Sequence, residues 1–164
     1  MVDQAPQIDA RPYLRHALAT LAYRAGKTLR GAPPEFGSFA AGPTTRTPSE
    51  ILAHLCDLLE WAESLARGQQ VWRNSPLGAW DEDVQRFFAT LHTFDECLAA
   101  DGPPGCEWTQ LFQGPIADAF THVGQLALLR RIAGSAIRGE NYAKADIVTG
   151  RVGQEQAPPR REFD

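Results

Sequence analysis

Cysteine is scarce in this chain. Cys56, Cys97 and Cys106 make an odd set of three without CxxC spacing, which argues for reduced thiols rather than a disulfide framework. No apolar run approaches the roughly 18 residues of a membrane span, so no membrane partner is expected. An excess of positive charge is missing too. The formal net charge is −4, and the basic residues are scattered apart from the pairs Arg130-Arg131 and Arg160-Arg161, so no nucleic-acid partner is expected. The stretch Met-Val-Asp-Gln-Ala-Pro-Gln-Ile-Asp carries neither a basic patch nor an apolar h-region. No secretory leader is therefore expected there, and the expected compartment is the cytoplasm. Sustained apolar/polar alternation is lacking as well, which leaves little material for a sheet.

What is present is helical periodicity. With 164 residues and 43 % hydrophobic content, the chain is long enough for one domain with a real core. Tyr13, Leu14, Ala17, Leu18, Leu21 and Ala25 recur at helical spacing and predict a first helix from Ala10 to about Leu29. Residues 1–9 read as a loose leader. The Gly- and Pro-rich segment 31–43 is a long connection, suited to a function or to a wrap around the helices. Thr47-Pro48-Ser49-Glu50 is a capping box with proline at N1, and opens a second helix reaching Gly68. A third helix is predicted from about Asp81 to Ala100, with Phe87, Leu91, Phe94 and Leu98 inward. Gly114-Pro115 reads as the start of a fourth, closed by Arg130, Arg131 and Gly134. After it, Glu140–Ile147 suggests one or two further helical turns. The predicted fold is all-α, a four-helix bundle over 10–134 with a long first connection, followed by a C-terminal extension over 135–164.

One pair of residues on the fourth helix suggests chemistry. Asp118 and His122 stand four residues apart, one turn apart on the same side of a helix. His54, early in the second helix, is the candidate third partner if the two helix starts are neighbours. Two imidazoles and a carboxylate can ligate a divalent ion and leave positions open; Zn²⁺, Ni²⁺, Mn²⁺ and Fe²⁺ all fit this donor set. Simpler roles compete for each residue. An acid in a first turn is favoured by the helix dipole, and either histidine can be a hydrogen-bonded core residue. Gln125 is placed to hydrogen-bond a ligand group, Trp61 to wall a pocket, and Tyr142 to fold back over a site. Cys56 reads as core, His16 and His92 as solvent-facing, and Arg130 and Arg131 as closing the helix dipole.

The segment Ser49-Glu-Ile-Leu-Ala-His54, Trp61 two turns later, and His122-Val-Gly-Gln125-Leu-Ala-Leu-Leu-Arg130 together resemble the DinB-like superfamily of bacterial four-helix-bundle proteins. That last segment is similar to the family's His-x-Gly-Gln signature. The resemblance implies three metal ligands, usually histidines, one in the second helix and two spaced by four in the fourth. His54 and His122 match the first and last, and Asp118 stands where a histidine is commoner. A carboxylate there lowers the net charge of a divalent centre from +2 to +1 and makes it a weaker Lewis acid. The implied activity is metal-dependent thiol transfer or hydrolysis on a small molecule, with a low-molecular-weight thiol as a co-substrate and a homodimer as the common assembly. The alternative is a non-catalytic, stress-associated binding protein in which any ion is structural.

Overall fold

A computed structural model describes residues 9–164. Residues 1–8, which make up most of the expected loose leader, lie outside the described residues.

The helices begin where the local chemistry provides for their free N–H groups. α1 (Arg11–Leu29) has Pro12 in its first turn, where the missing N–H costs nothing. α2 (Pro48–Ala66) opens on the expected box: Glu50 N–H donates to Thr47 Oγ1 at 3.3 Å, and Thr47 N–H donates to Glu50 Oε2 at 2.7 Å. α3 (Trp80–Ala99) carries Asp81, Glu82 and Asp83 in its first turn. The Asp83 carboxylate accepts the Gly78 N–H at 3.1 Å and the Glu82 carboxylate accepts the Ala79 N–H at 3.3 Å.

The last long helix departs from expectation. Gly114-Pro115 does not start it. The helix starts six residues earlier with α4 (Trp108–Leu111), passes through a π turn over Phe112–Ile116, and continues as α5 (Ala117–Ile132). The backbone stays right-handed helical at Leu111, Phe112, Ile116 and Ala117, so this is one helical run. Pro115 lies inside it, with no N–H to give and a ring that crowds the preceding turn; widening that turn accommodates both. Gly134, at φ +80°, ends the run as expected, with Ser135 N–H donating to the Arg130 carbonyl at 2.9 Å.

Cross-helix contacts fix the directions. Arg15 of α1 pairs with Asp95 of α3 at 2.8 Å, and Gly26 lies under Phe88, so these two helices are antiparallel. Arg86 of α3 pairs with Asp57 and Glu60 of α2, and further along Arg67 shares a hollow with Cys97, so α2 and α3 run the same way. His54 meets His122 and Trp61 meets Gly114; α2 and α5 are therefore antiparallel, and their starts are not neighbours. His54 meets instead the middle of the 108–132 run. Between the helices, Leu18, Leu55, Leu59, Phe87, Phe94 and Leu126 are at most 1 % exposed. Each such side chain contributes about 2 kcal/mol of burial free energy. Tyr13, expected on the inner stripe, is instead 76 % exposed, because the inward face of α1 is carried by Leu14, Leu18, Leu21 and Ala25.

The segment after α5 holds no further α-helix. Where one or two turns were expected, it forms a 3-10 turn at Tyr142–Lys144 and a two-residue strand, β1 (Gly139–Glu140), antiparallel to β2 (Glu162–Phe163). Pairing of Gly139–Glu140 with Glu162–Phe163, and the bonds of Glu140 to Tyr23 and Lys27 on α1, hold the start of this stretch extended. The segment then lies along α1, where Val152 is buried and Gln156 packs on Gly26. Among the described residues no helix is long and apolar enough to cross a membrane.

Candidate metal centre

α2 and the middle of α5 bring His54, Asp118 and His122 together. His122 Nε2 lies 3.5 Å from Asp118 Oδ2, His54 Nε2 lies 3.9 Å from the same oxygen, and the imidazoles meet edge to face with centroids 4.8 Å apart. One donor atom from each residue falls within 4.8 Å of the others. Bonds of about 2.1 Å in a tetrahedral site set donors about 3.4 Å apart. The His122–Asp118 separation meets that spacing, and the His54–Asp118 separation exceeds it by about half an ångström. The donor set suits a divalent ion of the first transition row.

The protonation pattern points the same way. His122 Nδ1 is 2.8 Å from Gln125 Oε1. An amide oxygen only accepts, so Nδ1 carries the hydrogen, which leaves Nε2 as the ring nitrogen that can ligate an ion. A second bond of this kind, which fixes the tautomer and orientation of a ligating histidine, is a regular companion of metal sites. Burial pushes the His54 pKa down, His122 and Arg46 push it further, and Asp118 and Asp57 only partly restore it; the ring is held neutral. Two imidazole nitrogens and a carboxylate oxygen thus converge as possible donors to one ion. Among the described residues, no side chain or backbone N–H makes a hydrogen bond to the Asp118 carboxylate.

The cluster lies between two hollows. One, about 570 Å³, is lined by Arg46, Ile51, His54, His122, Gln125 and Leu128 among others. The other, about 400 Å³, is lined by Asp118, Trp61, Gly114 and Thr121 among others. Three of the side chains proposed from sequence therefore meet as ligand candidates, and Gln125 and Trp61 border them. Tyr142 does not. Its ring packs edge-on against Tyr23 at 6.2 Å and lies beneath the Arg24 guanidinium at 4.4 Å, on α1, because the chain after α5 is drawn there by β1.

Comparison with protein-family models, with curated proteins and with solved structures finds no match to this chain. The site is therefore read from its own geometry.

Two neighbours of the cluster have no signal in the sequence. Trp72 lies in the link between α2 and α3, with its ring 5.7 Å from His54 and 6.0 Å from Trp61; no helical period reaches a loop residue. Arg46 precedes the Thr47 cap and lines the larger hollow. Asp118, set in the middle of a continuous helix, is also not explained by a helix N-terminus. Arg130, read as a dipole-closing cation, proves to be buried. It donates to the carbonyls of Thr28, Arg30 and Gly31 at 2.9, 2.8 and 3.2 Å, closing the end of α1 rather than only its own helix. The parallel course of α1 and α5 brings those two ends together. Cys56 is core as expected, and burial pushes its thiol up to about 12. His16 and His92 are solvent-facing.

Proposed function

We propose that this protein is a divalent-metal-binding four-helix bundle of the DinB-like kind, acting on a small molecule as a thiol transferase or a hydrolase. The observation that carries the reading is the convergence of His54 Nε2, His122 Nε2 and Asp118 Oδ2 from two antiparallel helices, at the edge of a hollow large enough for a small ligand. When bound, a divalent ion supplies Lewis acidity toward a sulfur or oxygen atom placed on it. The chain's own residues do the rest. Gln125 fixes the His122 ring with its Nδ1–H outward, and the burial of His54 keeps that ring a neutral donor. Asp118 lowers the charge of the centre, which tempers the acidity of whatever it holds. Trp72 and Trp61 form an aromatic border on the α2 side. A cytoplasmic, homodimeric protein is part of the same proposal, on the absence of disulfides and the family resemblance.

The test is turnover by protein loaded with Zn²⁺, Ni²⁺, Mn²⁺ or Fe²⁺, assayed for conjugation of a thiol to an electrophile and for ester and amide hydrolysis. A metal-dependent rate that His122→Ala abolishes is the expected result. No rate above background with any of the four ions overturns the catalytic reading. In that case the ion staples α2 to α5, and chelation lowers the melting temperature without loss of any activity.

A further inference from the structure

The larger hollow beside the cluster has a composition that selects among small molecules. Its walls are mostly apolar: Ile51 comes from α2, and Leu128 and Leu129 from α5. Leu128 is 57 % exposed and offers its side chain to the hollow. At the same hollow stands Arg46. Among the described residues its guanidinium has neither an ion pair nor a side-chain hydrogen bond. The acid beside it, Glu50, is taken up by the Thr47 N–H at 2.7 Å and the Thr47 hydroxyl at 3.0 Å. The cations packed between elements are matched: Arg15 by Asp95, Arg86 by Asp57 and Glu60, Lys27 by Glu140 and Glu162, and Arg130 by carbonyls. Arg46 has no such partner among the described residues and lines this apolar hollow.

We propose that the hollow takes an amphiphilic carboxylate, its head on Arg46 and its aliphatic or aromatic body against Ile51, Leu128 and Leu129. This rests on the reading of the hollow as the substrate site, and it narrows that site's substrate class. A planar guanidinium matches a carboxylate through paired N–H donors. The apolar wall then favours a hydrocarbon body over the sugar or peptide portion of a polar thiol, whose hydroxyls and amides would lose water without gaining partners. At about 570 Å³ the space is in the range of small-ligand sites and too small for a folded partner.

The experiment is isothermal titration calorimetry of the metal-free protein with octanoate, octanol and octylammonium, repeated on Arg46→Gln and Leu128→Asn. Arg46 and Leu128 are both exposed, so neither substitution endangers folding. Octanoate is expected to bind more tightly than octanol, and octylammonium weakest. Arg46→Gln is expected to weaken octanoate about tenfold, the scale of one charge-assisted pair at a half-open site, and to leave octanol unchanged. Leu128→Asn is expected to weaken octanoate and octanol alike. Equal affinity for octanoate and octanol, unchanged octanoate binding in Arg46→Gln, or no octanoate binding overturns the proposal. A parallel zinc titration separates the two readings. Zinc bound without octanoate binding removes the carboxylate proposal and leaves the metal centre; octanoate bound through Arg46 without zinc does the reverse.

Discussion

Two charged clusters on this molecule use similar residues to opposite ends. On the α1 side, Glu140 is wholly buried at its side chain and accepts from the Tyr23 hydroxyl at 2.7 Å and from Lys27 at 2.8 Å; Lys27 also holds Glu162 at 2.8 Å. Each donor there has an acceptor. Burial alone would raise the Glu140 pKa, but the bonds from Lys27 and Tyr23 outweigh it and hold the carboxyl below its ordinary value of 4.5. On the α2–α5 side, Asp118 faces His54 and His122 across 3.9 and 3.5 Å, and the Nδ1 hydrogen of His122 points away, at Gln125. A matched cluster closes a fold. A cluster of possible ligands gathered around a point, beside a hollow, is what the proposed ion would complete. The comparison sets a closed structural cluster beside a candidate site.

Substitutions should split along that line. His54→Ala is expected to lower divalent-ion affinity at least a hundredfold, the scale of losing one of three protein ligands, while leaving the melting temperature of the metal-free protein nearly unchanged. Glu140→Ala is expected to do the converse. It leaves the Tyr23 hydroxyl and half of the Lys27 pairing without a partner, at a cost of about 2–3 kcal/mol by denaturant titration, with ion affinity intact. If both variants lose both properties, the two clusters are not distinct.

A smaller effect sharpens the site half. Gln125→Ala removes the acceptor that orients His122, and ion affinity is expected to fall about tenfold without loss of stoichiometry. Unchanged affinity would mean that the ring is held by packing alone. The structural half has a signature in acid. Because the Glu140 pKa is lowered in the folded chain, the unfolded chain binds the proton more readily. Its contribution is fully present above the ordinary value of 4.5 and is lost as pH falls through the lower folded value. Glu140→Gln should therefore flatten the decline of stability below pH 4.5, measured against the parent chain.

Much of this was legible in the sequence because it is local. The Thr47–Glu50 box, the apolar stripes of α2 and α3, and the i,i+4 pairing of Asp118 with His122 all follow from chain spacing. His54 was nameable as a third candidate ligand, but its register was not: α2 and α5 are antiparallel, and only the fold aligns residue 54 with 122. Gly114-Pro115 carries the chemistry of a helix start, yet packing of Leu111 and Ile116 in the core extends the helix back through a π turn. Tyr142 and Arg130 went elsewhere for a related reason. Their partners, Tyr23 and Arg24 for the one and the end of α1 for the other, lie about a hundred residues or more away in the chain, where no local pattern reaches.

The most direct test is elemental analysis of untagged protein, alongside zinc titration of its metal-free form, for the parent chain and His122→Ala. The account predicts one divalent ion per chain in the parent and none in the variant at equal folded content. A parent chain that carries and takes up no ion, or a variant that retains a full equivalent, contradicts it.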